Sequence, residues 1–248
     1  MAAKERIDKL MVQRQLAGSR ERARALILAG RVVVDDQTID KVGTQVDTAA
    51  SIRLRGEDIP YVSRGGLKLA RALELFTIEV IGHTAIDVGA STGGFTDCLL
   101  QNGAARVFAV DVGYGQLAWK LREDSRVVNL ERTNIRNLTT AQLGAMPNLA
   151  VIDASFISLE KVLPATLALL ATGSDIVALI KPQFEVGRGQ VGKGGVVRDP
   201  KQHTQVVKKI RMLAAQLGCQ ILNLCESPIL GPKGNLEFLI HLRKEQLT

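Results

Sequence analysis

The stretch Asp87-Val88-Gly89-Ala90-Ser91-Thr92-Gly93-Gly94-Phe95-Thr96-Asp97 decides the reading of this chain. A short apolar run, Ala85-Ile86, precedes it, and a helix-like stretch through Leu99-Leu100 follows it. Strand, small residues, then helix is the order in which an open α/β sheet builds a nucleotide-sized crevice at its strand ends. Gly89, Gly93 and Gly94 carry no Cβ, so a ligand can come close to the backbone. The pattern is not G-x-G-x-x-G and no P-loop lysine follows it, so few free N–H groups would face a pyrophosphate. Taken alone, the turn is also compatible with a tight strand-to-helix connection that binds nothing. The next apolar run, Arg106 to Val110, ends on Asp111. A carboxylate at a strand tip accepts hydrogen bonds from ribose hydroxyls, so turn and acid together favour a nucleoside-containing cofactor.

Size and composition narrow the classes. The chain has 248 residues, 46% of them hydrophobic, which allows one large core or a small domain beside a medium one. Its net charge of +7 is compatible with a nucleic-acid partner. Aromatic residues make up only 4%, so base stacking is not expected to dominate any RNA contact. Cys98, Cys219 and Cys225 are odd in number and form no C-x-x-C pair, which argues for reduced thiols in a cytoplasm. Cys98 reads as a small core residue. His83, His203 and His241 show no metal-ligand spacing, and no metal is expected. Met1-Ala2-Ala3-Lys4-Glu5 leads into a charged helix and is not a signal peptide. The apolar region from Val162 to Ile180 is broken by Thr172-Gly173-Ser174-Asp175 and reads as helix, turn and strand, not as a membrane span.

Taken from its start, the chain predicts a helix over residues 5–16 and a second one capped by Ser19 and ending at Gly30. Val32-Val33-Val34 predicts a strand, Asp35-Asp36-Gln37 a turn, and residues 51–55 a second strand. Residues 1–34 hold eight basic and three acidic side chains. Arg20 and Arg24 lie one helical turn apart and can face one phosphate track, although a solvated face has the same look. Arg6, Asp8 and Leu10, then Ser19-Arg20, Ala23, Ile27, Gly30, Val32 and Val34-Asp35, resemble an S4 domain, a small module that clamps structured RNA. The resemblance covers residues 4–55 and implies that Arg6, Lys9, Arg20, Arg24 and Arg31 face RNA. Gly56-Glu57-Asp58-Ile59-Pro60 reads as a linker. The expected division is 1–59 for this domain and 60–248 for the rest.

Beyond the linker, Leu67 to Phe76 has helical spacing, with Lys68 in its first turn, where a cation is unfavourable. Strands are predicted near 84–88, 106–111, 126–130, 149–153, 174–181, 219–226 and 235–242, and helices near 94–102, 116–122, 138–143, 158–171 and 200–217. Such alternation predicts a mainly parallel, doubly covered sheet, hence a Rossmann-like α/β domain. Gly187 to Gly195 holds five glycines, and residues 181–211 hold eight basic and two acidic side chains, so a mobile basic loop beside the crevice is expected. Asp153 and Lys181 close predicted strands, as Asp111 does, and Glu237 lies near the start of the last one. If that strand runs antiparallel, two lysines and two carboxylates meet at one edge.

Ser63-Arg64-Gly65-Gly66-Leu67-Lys68-Leu69, Asp87 to Asp97, Ile152 to Leu159, Ile180-Lys181-Pro182-Gln183-Phe184-Glu185 and Gly231 to Glu237 resemble the TlyA, or hemolysin-A-like, family. There an S4 domain precedes an FtsJ-type ribose 2′-O-methyltransferase domain built on a seven-stranded S-adenosylmethionine-dependent sheet with an antiparallel last strand. The family's Lys-Asp-Lys-Glu tetrad falls on Lys68, Asp153, Lys181 and Glu237. The resemblance implies S-adenosylmethionine as cofactor and ribosomal RNA, or a ribosomal subunit, as partner, with a cytidine as the modified nucleoside. The turn (Asp87, Gly89, Ala90, Ser91, Thr92, Gly93, Gly94 and Phe95) is expected to cradle the cofactor's methionine end, and Asp111 its ribose. Asn134 is expected near adenine, where such enzymes often carry an Asp; its carbonyl accepts the same bond without the charge.

These residue types suit the chemistry. A ribose hydroxyl must lose a proton as it attacks, and a lysine can take it only where its ammonium form is disfavoured by burial or by a second cation. Lys181 is assigned the base and Lys68 the ribose, though residue types alone leave the roles exchangeable. Other classes remain in view: a non-catalytic RNA-binding factor that keeps the methyltransferase shape, a membrane-lytic protein as the family's older name suggests, and an S4-bearing pseudouridine synthase. The intact tetrad, the lack of an apolar span and the glycine turn argue against these in turn.

Overall fold

The protein is described by a computed structural model that covers residues 3–55, 59–187, 189–192 and 194–245. Linker residues Gly56, Glu57 and Asp58, and Arg188 and Lys193 of the glycine-rich loop, lie outside the described residues. The chain divides into two compact units, Met1–Pro60 and Tyr61–Thr248.

In the first unit the order is β1 (Lys4–Arg6), α1 (Ile7–Gln13), α2 (Arg20–Leu28), β2 (Val32–Val34), β3 (Gln37–Ile39), β4 (Gln45–Asp47) and β5 (Ile52–Leu54). The Ser19 side chain accepts from Arg22 N at 3.1 Å and so starts α2. Ile7, Leu10 and Met11 of α1 pack with Ala23, Leu26 and Ile27 of α2 against Val32 and Val34. β2 pairs with β3 and with β5, and β1 pairs with β4, all antiparallel. The first helix is shorter than its spacing predicts, because residues 4–6 form β1. Gln37, predicted in a turn, opens β3. The turn is Asp35-Asp36 alone, with φ of 45° and 66°, the two-residue hairpin geometry that such short polar residues tolerate. Strands β1, β3 and β4 are three residues each, too short to show an alternation.

Asp8 is fully buried between the helices. It accepts from Arg6 Nε at 2.9 Å and Nη2 at 3.1 Å, and from Arg20 Nη2 at 2.9 Å. The hydrogen bond from Arg6, then that from Arg20, holds its carboxyl down at about 2. A carboxylate with a lowered native pKa stabilises the fold above its unfolded value, and that contribution disappears as pH falls through the native one. Asp8→Asn should therefore weaken the first unit by about 2 kcal/mol at pH 7. Amide exchange in α1 and α2 measures this, and the gap between wild type and variant should close as pH drops toward 2.

The second unit runs α3 (Gly65–Phe76), β6 (Thr84–Val88), α4 (Gly94–Gln101), β7 (Arg106–Val110), α5 (Trp119–Arg122), β8 (Val127–Leu130), α6 (Thr140–Leu143), β9 (Leu149–Ile152), α7 (Leu159–Leu169), β10 (Asp175–Ile180), α8 (Pro182–Glu185), α9 (Pro200–Gln216), β11 (Cys219–Glu226) and β12 (Phe238–Lys244). Its seven strands lie in the order β11-β12-β10-β9-β6-β7-β8. β12 is antiparallel to both of its neighbours, and the β10-β9-β6-β7-β8 ladder is parallel. The central strands are buried on both faces, which explains their unbroken apolar runs. Within β9, Leu149 and Val151 pack with Leu69 and Leu99 of α3 and α4, whereas Ala150 and Ile152 pack with Leu163 and Ile210 of α7 and α9. Cys98 is part of this core, and burial pushes its thiol up to about 12.

Two departures from the predicted elements bear on the site. The last strand begins at Phe238, not 235, because Asn235 is held in a turn where its Oδ1 accepts from Val197 N at 3.1 Å. Pro182, which has no N–H for a ladder, ends β10 and opens the single turn of α8. The register then aligns the strand ends. Val88 lies beside both Val110 and Ile152, and Ile180 lies opposite Phe238. Gly89, Asp111, Asp153 and Lys181 follow these positions, and Glu237 precedes Phe238 on the reversed strand, so all five reach the same edge of the sheet.

Candidate active site

At that edge the four tetrad side chains form two ion pairs. Lys68 Nζ lies 2.6 Å from Glu237 Oε2, and Lys181 Nζ lies 2.5 Å from Asp153 Oδ1. Lys68, Lys181 and Glu237 are buried, and Asp153 is partly exposed. Lys181 Nζ also donates to Ser155 Oγ at 2.8 Å, and Gln183 Nε2 donates to Glu237 Oε1 at 3.1 Å. Gly231 makes room for this second carboxylate, since a Cβ there would lie 2.1 Å from Glu237 Oε1. Ser155 and Gln183 received no role from the sequence, although both stand inside the matched stretches Ile152 to Leu159 and Ile180 to Glu185.

Two cavities open beside the pairs. The larger, of 590 Å³, is walled by Val88, Val110, Ile135, Ile157 and Val162, with Asp111, Gln116, Asn134 and Arg136 among its polar groups. The smaller, of 270 Å³, is lined by Arg64, Lys68, Asp153 and Lys181 together with Ala90, Thr92, Gly94 and Phe95. Gly89, Ser91, Asp153 and Ser155 belong to both walls. Gly89 permits this, because its φ is +87° and a Cβ would meet the Asp153 backbone oxygen at 2.9 Å. The glycine turn therefore divides the two cavities, and only Gly89 and Ser91 of it reach the larger one. Gly93 packs against Leu117 and Leu121 and lines neither.

The larger cavity fits a nucleoside cofactor of the predicted kind. Its volume is that of a small-molecule site with apolar walls and few polar groups. Asp111 stands in it with Oδ2 accepting from Ser91 N and Oδ1 from Gly113 N, each at 2.7 Å, and each oxygen keeps a lone pair for a ribose hydroxyl. The turn's amides offer no phosphate cradle: Gly89 N and Ala90 N both donate to Val110 O. Asn134 lines the same cavity, but its Oδ1 accepts from Arg136 N at 3.1 Å and Arg136 Nε at 3.2 Å. The carbonyl expected to meet adenine is thus engaged locally. Phe156 stands on the rim, 91% exposed at φ 63°, with its ring 5.1 Å from that of Phe184.

Of the arginines expected to face RNA, Arg6 and Arg20 are tied to Asp8 with their side chains still about half exposed. Lys9 pairs with Glu5 at 2.7 Å, and Arg31 Nε donates to Arg55 O at 3.0 Å. Arg24 is exposed. His203 Nε2 bonds to Val197 O and His241 Nε2 to Asp175 Oδ1, both at 2.9 Å.

A seven-stranded sheet with one reversed strand, two cavities parted by a glycine turn and paired Lys–carboxylate side chains at the parting define an S-adenosylmethionine-dependent methyltransferase fold, and the chain is a methyltransferase. Residues 61–244 match the FtsJ-like methyltransferase family, and residues 5–52 match the S4 domain. The 16S/23S rRNA (cytidine-2′-O)-methyltransferase TlyA of Mycobacterium tuberculosis is 50% identical over 246 residues, 99% of this chain and 92% of that protein. A Bacillus subtilis protein provisionally named an rRNA methyltransferase is 52% identical over 240 residues, 96% of this chain and 85% of its own. A solved Streptococcus thermophilus structure, provisionally named a hemolysin, superposes with a TM-score of 0.78 at 45% identity, over 99% of this chain and 90% of that one. The chain belongs to the TlyA family.

Asp87, expected to help bind the cofactor, lies beneath the turn and lines neither cavity. It is fully buried, its Oδ2 accepts from Thr96 Oγ1 at 2.7 Å, and its Oδ1 has no partner among the described residues. Burial, reinforced by the nearby Asp153 and Asp111, pushes its carboxyl up to about 7. The native state thus holds a proton that the unfolded chain releases from about 3.8 upward, so this group stabilises the fold less as pH rises through 7. Melting temperature should climb between pH 8 and pH 5 in the wild type. Asp87→Asn should flatten that slope, a comparison that differential scanning calorimetry makes directly.

Proposed function

We propose that the chain transfers the methyl group of S-adenosylmethionine to the 2′-hydroxyl of a cytidine ribose in 16S or 23S ribosomal RNA, the reaction its Mycobacterium tuberculosis relative is named for. The observation that carries this reading is the position of the Lys181–Asp153 pair on the wall between the two cavities, where a donor on one side meets an acceptor on the other. When bound, S-adenosylmethionine supplies a methyl already activated on a sulfonium centre.

The chain's own side chains then have distinct tasks. Asp111 accepts from the cofactor's ribose hydroxyls. Lys181 Nζ, oriented by Asp153 and Ser155, first passes its ammonium proton to solvent and then, as the neutral amine, accepts the proton that the RNA hydroxyl loses as it attacks. Lys68, oriented by Glu237, donates to the acceptor ribose, while Gln183 fixes Glu237 from its other oxygen. Holding oxygen and methyl in line supplies much of the rate, and the proton transfer adds roughly 10²–10⁴-fold. The exposed Phe156 ring offers a flat face to an unstacked base at the rim. The first unit holds structured rRNA, with Arg24 and the exposed parts of Arg6, Arg20 and Arg31 toward phosphate. Among the described residues no helix is long and apolar enough to cross a membrane. Three free cysteines suit work in a reducing cytoplasm beside ribosomal subunits.

Purified wild type should move labelled methyl from S-adenosylmethionine to hypomethylated ribosomal subunits. Lys181→Ala should lower the turnover by about 10²-fold or more while calorimetric affinity for the cofactor stays near wild type. Transfer at the wild-type rate in that variant would remove the proposed base.

A further inference from the structure

The smaller cavity holds one charge that the tetrad leaves unanswered. Of its charged walls, Lys68 is paired with Glu237 and Lys181 with Asp153. Arg64 lines the same cavity, is exposed, and its guanidinium has no partner among the described residues. It stands one helical turn before Lys68, and its φ of −60° and ψ of −16° continue the helix backward, so both side chains lie on one face of α3. The acceptor cavity therefore carries one net positive charge, on the side chain whose planar fork matches two phosphate oxygens.

The acceptor's covalent structure supplies the matching anion. In RNA, the carbon that bears the 2′-hydroxyl is bonded to the carbon that bears the 3′-phosphodiester. A hydroxyl brought to Lys181 Nζ inside a 270 Å³ cavity brings that phosphate to its wall. Neither lysine can serve as its counter-charge without stripping a buried or half-buried carboxylate of its cation, which costs more than it returns.

We infer that Arg64 is a phosphate clamp: it grips the 3′-phosphodiester of the nucleotide being methylated and so sets the ribose against Lys181. This rests on the ribose-acceptor reading above. The test is steady-state kinetics with labelled S-adenosylmethionine and hypomethylated ribosomal subunits. Arg64→Ala should raise KM for subunits roughly tenfold, lower the slope of log KM against log salt by about one, and leave cofactor affinity unchanged. Arg64→Lys should regain the salt slope but only part of the KM, since a point charge lacks the fork. Lys161→Ala, which removes an exposed cation of α7 that lines neither cavity, should do neither.

A synthetic oligoribonucleotide spanning the modified site, with a neutral methylphosphonate at the 3′ link, closes the cycle. The wild type should lose about tenfold on it, and Arg64→Ala little further. Should Arg64→Ala fail to fold, Arg64→Lys and the methylphosphonate on wild type carry the same test. An Arg64→Ala enzyme with wild-type KM and salt slope, or one that suffers the full methylphosphonate loss, overturns the clamp. A wild type that methylates no ribose instead overturns the reading beneath it.

Discussion

Everything at the carboxyl edge of the sheet depends on two lysines each being answered by a carboxylate. Three of the four charges are buried, and a buried charge without its partner costs several kcal/mol. Each pair is therefore also a structural tie. Lys68–Glu237 binds the first turn of α3 to the residue before β12, and Lys181–Asp153 binds the ends of β10 and β9. Ser155 and Gln183 each take up a further bond on the pairs, one on a lysine and one on a carboxylate. The arrangement is costly enough that few departures from it preserve the fold, which makes the same geometry suitable for holding reacting atoms still.

Much of the second unit was legible in the sequence because its strands are buried on both faces. A run such as Leu149-Ala150-Val151-Ile152, bounded by polar residues, leaves few alternatives, and the alternation of such runs with helical spacing gives the parallel sheet. Asp111, Asp153 and Lys181 could be picked out for the same reason, since each is the first charge after an apolar strand. Their convergence could not be read locally. It depends on β12 entering between β10 and β11, a pairing between segments some sixty residues apart in the chain. The match to the TlyA family bridged that gap where periodicity could not.

What the sequence hid has common physical causes. Strands of three residues in the first unit leave no alternation to detect, and Asn235 displaces the start of β12 through a side-chain bond to a distant amide. Asp87 opens the glycine-rich motif, yet it is buried beneath the turn and bonded to Thr96. Asn134 has the right identity and place, but its carbonyl serves the short turn that follows it. Arg6 and Arg20 show the same ambiguity: a sequence displays a charge and not the Asp8 that holds it. In each case an internal partner competes with the ligand for a group whose type alone suggested the ligand.

The reversed β12 has a consequence for how the enzyme comes into being. Synthesis proceeds from the amino terminus, so α3, β6 through β10 and β11 emerge before the strand that must wedge between the last two. Until Phe238 to Lys244 leave the ribosome, β10 and β11 have no shared neighbour, and Lys68 stands without Glu237. A nascent chain can form the larger cavity early, yet the Lys68–Glu237 tie closes only once β12 has slotted between β10 and β11, so the site is completed by the arrival of one strand and not by degrees.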